Sequence, residues 1–419
     1  ARAPSALTLL MISPLCAVRR RTGSATAAWA APSTSPRGTR TDCPGDPHGQ
    51  GRFFFRSGDH TTGTALDGAG VSGTYSLLAG ADYTDFGEIR SGGGDKEPFS
   101  SFERANWRAR LSLLPQKSPL IVTGTYLGHF SNNLPRTDQL GLGRIATTDI
   151  SDNLVYVSLD WRPQAALEKL GIKASYHQVT ENATQDVCPV VGGADRIDMA
   201  SCSSLQTAIS AHGYRDVIDT FGLYADFGVR LLKERIRIGG SIEYYYDTIM
   251  STRTELRTLN DVNELIEQTR GVYSSGSYYS RFGTDLHMDA VLATTRIGNL
   301  KAHLGGRVSH FAGYAPVVPE RNEDIHYTHG GLVDSAGIQW LYRDNFNLYG
   351  LFSQGFRSPG LQETTALGYV AGQYQIPNPA LKPERSYNFE VGSRLAVRPV
   401  ELTIAWFHHR IDDFIDERP

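Results

Sequence analysis

Apolar and polar residues alternate along many segments between Phe53 and the end of the chain. From Phe221 the odd positions are mostly apolar and the even ones are polar or glycine, and the same period recurs from Leu300, Tyr387 and Val400. A period of two predicts β-strands with two unlike faces. The pattern predicts about 14 strands. Many can be extended to about 11 to 15 residues, well above the mode for globular strands.

The connections between these segments alternate between short and long. The six short ones are 115–119, 163–170, 232–235, 296–299, 342–345 and 397–399, and the six long ones are 85–101, 131–152, 181–217, 250–279, 313–329 and 357–384. Tight turns at one end and extended loops at the other are typical of outer-membrane β-barrels. We therefore predict an all-β, antiparallel transmembrane β-barrel whose polar positions face the lumen and whose apolar positions face lipid.

One long link also carries a helical pattern. Between residues 250 and 279, apolar residues recur at helical spacing among charged ones, which predicts a short amphipathic helix on an external loop. These apolar residues are Leu256, Leu259, Val262, Leu265 and Ile266. The same link ends in a tyrosine group that includes Tyr273 and Tyr278. An interfacial aromatic girdle is favoured for this group, and ligand contact is the alternative.

Charge and motifs narrow the classes of function. The chain has 41 basic and 44 acidic residues, without a basic patch beside an aromatic ladder, so nucleic-acid binding has no support. The longest apolar run, 6–18, is shorter than the roughly 20 residues of a membrane helix. Zinc-hydrolase, phosphate-loop, nucleophile-elbow and dinucleotide motifs are all missing, so we predict no enzyme. No Cys/His spacing predicts a metal site.

The first fifty residues differ from the rest. Residues 1–50 are rich in Ala, Arg, Pro, Thr and Ser and lack both periods, so we expect a disordered or non-native leader there and a barrel over 51–419. Arg19, Arg20 and Arg21 follow the apolar run, which is the wrong order for a signal peptide. Cys188 and Cys202 share one polar link. In an oxidising compartment their spacing suits a local disulfide, and two free thiols are the alternative.

The last long link carries the most specific pattern. A strand ends in a Phe-Arg-Ser-Pro sequence, and the link closes on Asn-Pro-Ala-Leu-Lys-Pro-Glu before Asn-Phe-Glu-Val-Gly at 388–392; the motif positions are Phe356, Arg357, Pro359, Asn378, Pro379, Leu381, Lys382, Pro383 and Glu384. The prolines alone predict an extended, turn-rich backbone. The combination closely resembles the late barrel of TonB-dependent outer-membrane receptors. Segments 75–87 and 133–138 resemble early-barrel pieces, so the resemblance covers about 51–419.

The resemblance implies a barrel of about 22 strands with a plugged lumen, of which this sequence is a part. No segment resembles the plug or its TonB box, and the final strands are missing. It implies a receptor in the outer membrane of a Gram-negative bacterium that imports a scarce ligand such as a ferric siderophore, haem, cobalamin or a glycan, of which a ferric siderophore is the most favoured. The energy would come from the TonB–ExbB–ExbD complex, reached through the plug. A passive porin or hydrophobic-substrate channel is the membrane alternative, and a soluble all-β binding protein is the second.

No resident cofactor is expected, and the ligand is expected to be a small-molecule chelate. Haem is less favoured than a siderophore, because 360–377 contains no histidine. The candidate ligand contacts fall into two groups. Arginines at lumen-facing positions could attract an anionic chelate, although polar lining is the norm in barrels; they are Arg230, Arg237 and Arg307. His326 and His329 share a long link and could ligate iron, with two solvated loop histidines as the favoured alternative.

Overall fold

The computed structural model describes residues 7–9, 47–90, 92–115, 118–137, 144–163, 166–187, 210–259, 262–268, 276–295, 298–316, 324–342, 345–365, 368–370, 373–375, 378–397 and 400–416. In these ranges the chain is almost entirely β-strand with one short helix. The elements are β1 Leu7–Leu9, β2 His48–Arg56, β3 Thr61–Ser72, β4 Tyr75–Phe86, β5 Phe102–Leu113, β6 Leu120–Pro135, β7 Arg144–Trp161, β8 Leu167–Val187, β9 Ser210–Leu231, β10 Ile236–Leu259, β11 Val262–Gln268, β12 Ser277–Thr295, β13 Gly298–Ala315, β14 Ile325–Tyr342, β15 Phe346–Arg357, α1 Leu361–Thr365, β16 Gly368–Val370, β17 Gln373–Gln375, β18 Glu384–Val397 and β19 Val400–Asp412.

The long strands form one antiparallel meander in which each strand pairs with its neighbours in chain order. β10 pairs with both β9 and β12, and β15 pairs with β18 across the last long link. β16 and β17 form a separate small hairpin. The main sheet is barrel-like but does not close over the described residues. The predicted all-β antiparallel architecture is confirmed, with 15 long strands in these ranges against about 14 expected.

The alternation of short and long connections is confirmed and defines two ends of the sheet. At the short-turn end, β9 and β10 are joined by residues 232–235, where Leu232, Lys233 and Glu234 have positive φ values of 50, 53 and 71°. At the long-link end, several links are shorter than predicted because the strands continue. β8, β9 and β10 have 21, 22 and 24 residues. That exceeds the roughly 9 to 11 residues that cross a bilayer, so these strands project beyond it.

The predicted helix over Leu256–Ile266 is wrong. β10 continues to Leu259, and β11 pairs back on it in register from Leu259 opposite Val262 to Arg253 opposite Gln268. The helical spacing was misleading because β10 is already paired with β9 up to Arg257. Continuing that ladder satisfies backbone hydrogen-bonding groups that an isolated short helix would leave open, and short isolated helices are marginal.

The two faces of the sheet differ sharply. On β9 the odd positions of one face include Phe221 and Leu223, whose side chains are 55% and 58% exposed, while the other face carries Tyr224, Asp226 and Arg230. We call these the apolar face and the polar face. Across the described strands the large apolar residues are mostly exposed and do not form a dry core. This matches an outward lipid-facing band and argues against the soluble alternative.

The buried apolar cluster lies on the polar face at the long-link end. Ile249, Ala315, Ile325 and Tyr327 come from three different strands and are at most 6% exposed. Leu361 of α1 completes the cluster. The last long link therefore turns inward over the polar face, and its helix is held there by apolar contact.

Candidate functional site

Strand register aligns the polar-face residues of β10 to β14 into rows. One row pairs Tyr245 with Arg281, Arg281 with Phe311, and Phe311 with His329. The next row toward the long-link end contains Asp247, Tyr279, Gly313 and Tyr327 in the same order. We call Tyr245, Tyr279, Phe311, Tyr327 and His329 the aromatic wall. It adjoins the cluster that holds α1, and Tyr327 belongs to both.

Charged residues on the polar face around the aromatic wall are paired. Arg307 donates to the Glu243 carboxylate, and its Nε also donates to the Ser309 hydroxyl at 3.1 Å. The guanidinium of Arg281 lies 4.5 Å from the ring centroid of Tyr245 and its Nε is 3.8 Å from Glu243. The charge of Arg307, a candidate anion contact, is therefore already balanced.

Arg230 and Arg237 lie apart from Arg307, at the short-turn end. They are directly opposed on β9 and β10 and share one carboxylate: Nε of Arg230 and Nε of Arg237 lie 2.8 and 3.3 Å from Oε2 of Glu168. Arg230 also donates to Glu234 at 2.8 Å. The three predicted arginines share the polar face but form two sites, and anion binding by them stays a prediction.

Tyr278 and His326 are on the apolar face. Tyr278 stacks between Tyr246 and Tyr314, with centroids 5.7 and 5.2 Å apart, and the ring of His326 is 4.6 Å from that of Tyr314. This stacked row fits the girdle interpretation. Tyr273 and the predicted bridge between Cys188 and Cys202 lie outside the described residues.

The two candidate histidines lie on a strand, which corrects their predicted loop placement. Both belong to β14, which pairs with β13 as far as Ile325 opposite Ala315. His329 belongs to the aromatic wall, and its ring centroid is 5.4 Å from that of Tyr327. Its Nε2 atom is buried and has no hydrogen-bond partner within the described part of the chain. His329 therefore has a buried, unpartnered ring nitrogen on the polar face, as far as the described residues show, whereas His326 lies on the apolar face.

Arg357, at the end of β15, ties the last long link to the barrel wall. Its Nε and Nη2 donate to the two carboxylate oxygens of Glu384 at 2.8 and 2.9 Å, and its Nη1 donates to both oxygens of Glu363 at 3.0 Å. Glu363 Oε2 also accepts the Gly360 backbone N–H at 2.7 Å. A planar guanidinium suits such forked contacts. We call Arg357, Glu363 and Glu384 the arginine clamp.

The clamp reaches the last strand pair as well. Glu384 Oε1 accepts the backbone N–H of Ile415 at 2.8 Å, just beyond β19. The hydrogen bond from Arg357 is the main cause that lowers the pKa of Glu384, and the same bond raises the pKa of Arg357. Glu384 is therefore ionised at neutral pH, and the clamp joins β15, α1, β18 and the segment after β19.

The other motif residues shape the link on either side of the clamp. Phe356 packs its ring 5.8 Å from Phe311 of the aromatic wall, and Pro359 is fully buried. Asn378 closes a turn: its Oδ1 accepts the Ala380 N–H at 3.2 Å, and its carbonyl accepts the Leu381 N–H at 3.4 Å. The remaining motif residues lead this turn into β18; they are Pro379, Lys382 and Pro383.

Two carboxylates oppose each other on the polar face where β8 and β9 project past the apolar band. Glu181 is paired with Asp216, and Asp216 with Ser251, which donates a hydrogen bond to it. Burial is the main cause that raises the pKa of both carboxyl groups, and the charge of Asp216 raises that of Glu181 further. Ionising this pair therefore works against the folded state.

Replacing Asp216 with asparagine is expected to stabilise this end of the barrel at neutral pH. A folded-state pKa above the unfolded value means that stability is fully present below the unfolded pKa and is lost as pH rises through the folded pKa. The gain in thermal midpoint should therefore be present at pH 7 and disappear near pH 4. Asp219→Asn is the control, because Asp219 accepts hydrogen bonds from Tyr176 and Gln178 at 2.5 and 2.8 Å. Equal gains in both variants would contradict the assignment.

Sequence reasoning missed Glu363 and the docking of α1. No pattern predicts them, since Glu363 lies in a link without periodicity and its partner Arg357 is six residues away. Within the described ranges, no helix is long and apolar enough to cross a membrane. Among the same residues, no group of three or more His, Cys, Asp or Glu side chains is placed to hold a metal ion.

Comparisons with known proteins agree with this architecture. Residues 100–419 match the family model "TonB dependent receptor-like, beta-barrel". The copper transporter OprC aligns with a TM-score of 0.65 and 12% identity over 88% of this chain and 54% of its own. A mutant of the hemophore receptor HasR of Serratia marcescens was solved with its hemophore HasA and heme. It aligns with a TM-score of 0.64 and 15% identity over 88% of this chain and 54% of its own.

A shorter match comes from the hemoglobin-haptoglobin utilization protein B of Neisseria meningitidis, which is 30% identical over 88 residues, or 21% of this chain and 11% of that protein. Siderophore receptors are among the other structures that align. The chain spans about half the length of the solved structures that it matches. Because the family model covers most of the chain, the protein belongs to the TonB-dependent receptors, a family of outer-membrane β-barrel transporters of Gram-negative bacteria.

Proposed function

We propose that this chain is part of the barrel of a receptor that imports a ferric siderophore across the outer membrane. The observation that carries the proposal is the last long link, which folds inward and lays α1 over the aromatic wall. The link joins two strands at the end where the family has its extracellular loops. A ligand that enters from outside would meet the link and the aromatic wall together.

The chemistry of the wall favours a ligand with apolar or aromatic groups. The hydroxyl group of Tyr279 forms a hydrogen bond with the side chain of Ser358 in the link. The ring of Phe356 lies beside that of Phe311. The nearby arginines are paired with glutamate, so bare positive charge contributes little to recognition. Aromatic rings and hydroxyl groups are suited to bind the organic shell of a metal chelate.

Haem is the second candidate, and His329 is the observation that favours it. Its buried Nε2 faces the lumen without a partner among the described residues, and a neutral imidazole nitrogen is a common axial ligand of haem iron. The hemophore and hemoglobin-haptoglobin proteins that resemble the chain add weight to this candidate. Because this nitrogen is buried, haem would reach it only after the packing around it had opened.

Energy from the TonB–ExbB–ExbD complex is part of the proposal. Import of a scarce ligand against a gradient needs an energy source that a barrel in the outer membrane does not have. In this family a plug in the lumen makes the link to the inner membrane. The prediction is that uptake by the complete protein stops when the TonB gene is deleted, while binding to the cell surface remains.

A binding experiment separates the two ligands. The complete receptor in detergent is titrated with iron-loaded catecholate and hydroxamate chelates and with haem, following quenching of protein fluorescence. A siderophore receptor should bind one chelate class, and Tyr279→Ala should weaken binding about tenfold or more while His329→Ala has little effect. A haem receptor should lose haem affinity and its Soret shift in His329→Ala. Binding of neither ligand class would reject iron uptake.

A further inference from the structure

Four side chains form a hydrogen-bonded series across the polar face of β4, β5 and β6. The Ser131 hydroxyl lies 2.9 Å from Nε2 of His129, and Nδ1 of His129 lies 2.7 Å from Oδ1 of Asn106. The Asn106 amide nitrogen donates to Oδ2 of Asp82 at 2.7 Å. Register supports the arrangement, since Asn106 is directly opposite both Asp82 and His129.

The direction of each hydrogen bond follows from the carboxylate of Asp82, which is the last of the four side chains. An ionised carboxylate only accepts, so the Asn106 amide nitrogen must face Asp82 and its oxygen must face His129. The oxygen only accepts, so Nδ1 of His129 carries the proton. Nε2 of the neutral ring then has a lone pair, and the Ser131 hydroxyl donates to it. This is the arrangement in which a histidine can act as general base toward a serine hydroxyl.

Backbone and side chains around Ser131 add two further features of a nucleophile site. A register shift follows Ser131 on β6, where Asn133 has a φ of 56°. Such bulges re-aim side chains beside active sites. Arg104 lies directly opposite Ser131 on β5, and its buried Nε has no hydrogen-bond partner within the described ranges. Its guanidinium lies over the ring of Phe86, 5.0 Å from the centroid, so it would stabilise a developing oxyanion after turning toward Ser131.

We propose that Ser131, His129 and Arg104 form a catalytic site that hydrolyses carboxylic esters entering the lumen from outside. Ser131 Oγ attacks the ester carbonyl carbon while His129 Nε2 takes the hydroxyl proton, and Arg104, turned away from Phe86, binds the carbonyl oxygen. The C–O bond breaks, and the leaving alcohol takes the proton from His129. A water molecule, deprotonated by His129, then cleaves the acyl-serine and releases a carboxylic acid and the free hydroxyl. Asn106 and Asp82 are positioning residues.

Two other polar-face residues among those the structure describes are hydrogen-bonded differently, which makes them suitable controls. Ser112 is buried like Ser131, but its hydroxyl is 3.1 Å from the Thr123 hydroxyl. His177 lies 2.7 Å from Asp152 through Nε2. Ser131 is 3% exposed and lies four residues before the end of β6, toward the long links. The hydroxyl is thus shielded from bulk water and lies near the end of the strand from which an external ligand arrives.

The test uses the complete receptor purified from an outer-membrane preparation, incubated with a fluorophosphonate probe and with 4-nitrophenyl esters of short acids. Peptide mass spectrometry should find the phosphonyl adduct on Ser131. Ser131→Ala should abolish labelling, and His129→Gln should lower the labelling and hydrolysis rates by about 100-fold or more. Asn106→Leu should reduce both rates, and Asn106→Asp, which can still accept from Nδ1, should recover part of them. Ser112→Ala should leave both unchanged.

Several outcomes would overturn the proposal. One is a wild-type protein that is not labelled at Ser131, and another is hydrolysis that persists in Ser131→Ala. Equal loss in Ser112→Ala and Ser131→Ala would show a general effect on folding. Heat-modified migration of each variant on gels checks that the barrel has formed, so loss of activity in an intact barrel can be assigned to the site. Ligand binding is measured separately, and failure of import leaves the esterase result unaffected.

Discussion

Replacing Arg357 with alanine is expected to release the last long link from the polar face. The substitution removes the forked hydrogen bonds to Glu384 and those to Glu363. Hydrogen bonds to charged groups contribute about 1.5–3 kcal/mol each when well shielded, and less here because the Arg357 side chain is 47% exposed. The rate of cleavage by thermolysin within 358–383 should rise about tenfold.

Two variants sharpen this prediction. Arg357→Lys keeps the charge and loses the planar fork, so its cleavage rate should lie between those of alanine and wild type. Arg410→Ala removes an arginine that bonds at 2.7 Å to Asp412 of its own strand, and should leave the link protected. Because the pKa of Glu384 is lowered in the folded protein, the stability that the clamp contributes is lost as pH falls through this lowered pKa. Unchanged cleavage in Arg357→Ala would refute the anchoring role.

Replacing Leu304 with arginine is expected to destabilise the barrel in lipid by about 2–4 kcal/mol, the cost of a cation on the lipid face near the bilayer centre. Leu304 is 52% exposed on the apolar face and lies six residues from the start of β13 at the short-turn end. The measurement is the free energy of unfolding in guanidinium after folding into phospholipid vesicles. The large effect follows because lipid offers the guanidinium neither water nor a counter-charge.

The adjacent residue supplies the control. His303 points to the polar face, where its Nδ1 lies 2.8 Å from Oδ1 of Asp289. His303→Arg places a cation beside this carboxylate and should change the free energy of unfolding by less than about 0.5 kcal/mol. If His303→Arg cost as much as Leu304→Arg, the two faces would not be the lumen and lipid faces that their composition indicates.

The fold was largely predictable because its governing signal is local. A period of two assigns Phe221 and Leu223 to one face and Asp226 to the other without knowledge of any partner strand. The alternation of turns gave the two ends of the sheet. The helix over Leu256–Ile266 was wrong, because a ladder already formed with β9 outweighs a weak helical spacing.

The candidate site was predictable only where a motif carried it. The Phe-Arg-Ser-Pro and Lys-Pro-Glu sequences marked Arg357 and Glu384, and the structure joins them. Neither sequence indicated Glu363 as a third member. Tyr278 and His326 were candidates by residue type, and a single step of alternation puts them on the apolar face. In a strand, consecutive side chains point to opposite faces of the sheet. Two residues that both look like ligand contacts in a predicted loop can therefore face lipid once they belong to a strand.

By itself the sequence determined the class of fold, the two faces of each strand, the two ends of the sheet and the family, because each depends on residues close together in the chain. Only the tertiary structure decided which residues meet across strands. Arg230 and Arg237 share Glu168 because β9 and β10 oppose them, and Ser131, His129 and Asn106 connect because β5 and β6 pair in one register. Contacts between distant residues depend on register and loop closure, and neither leaves a local trace in the sequence.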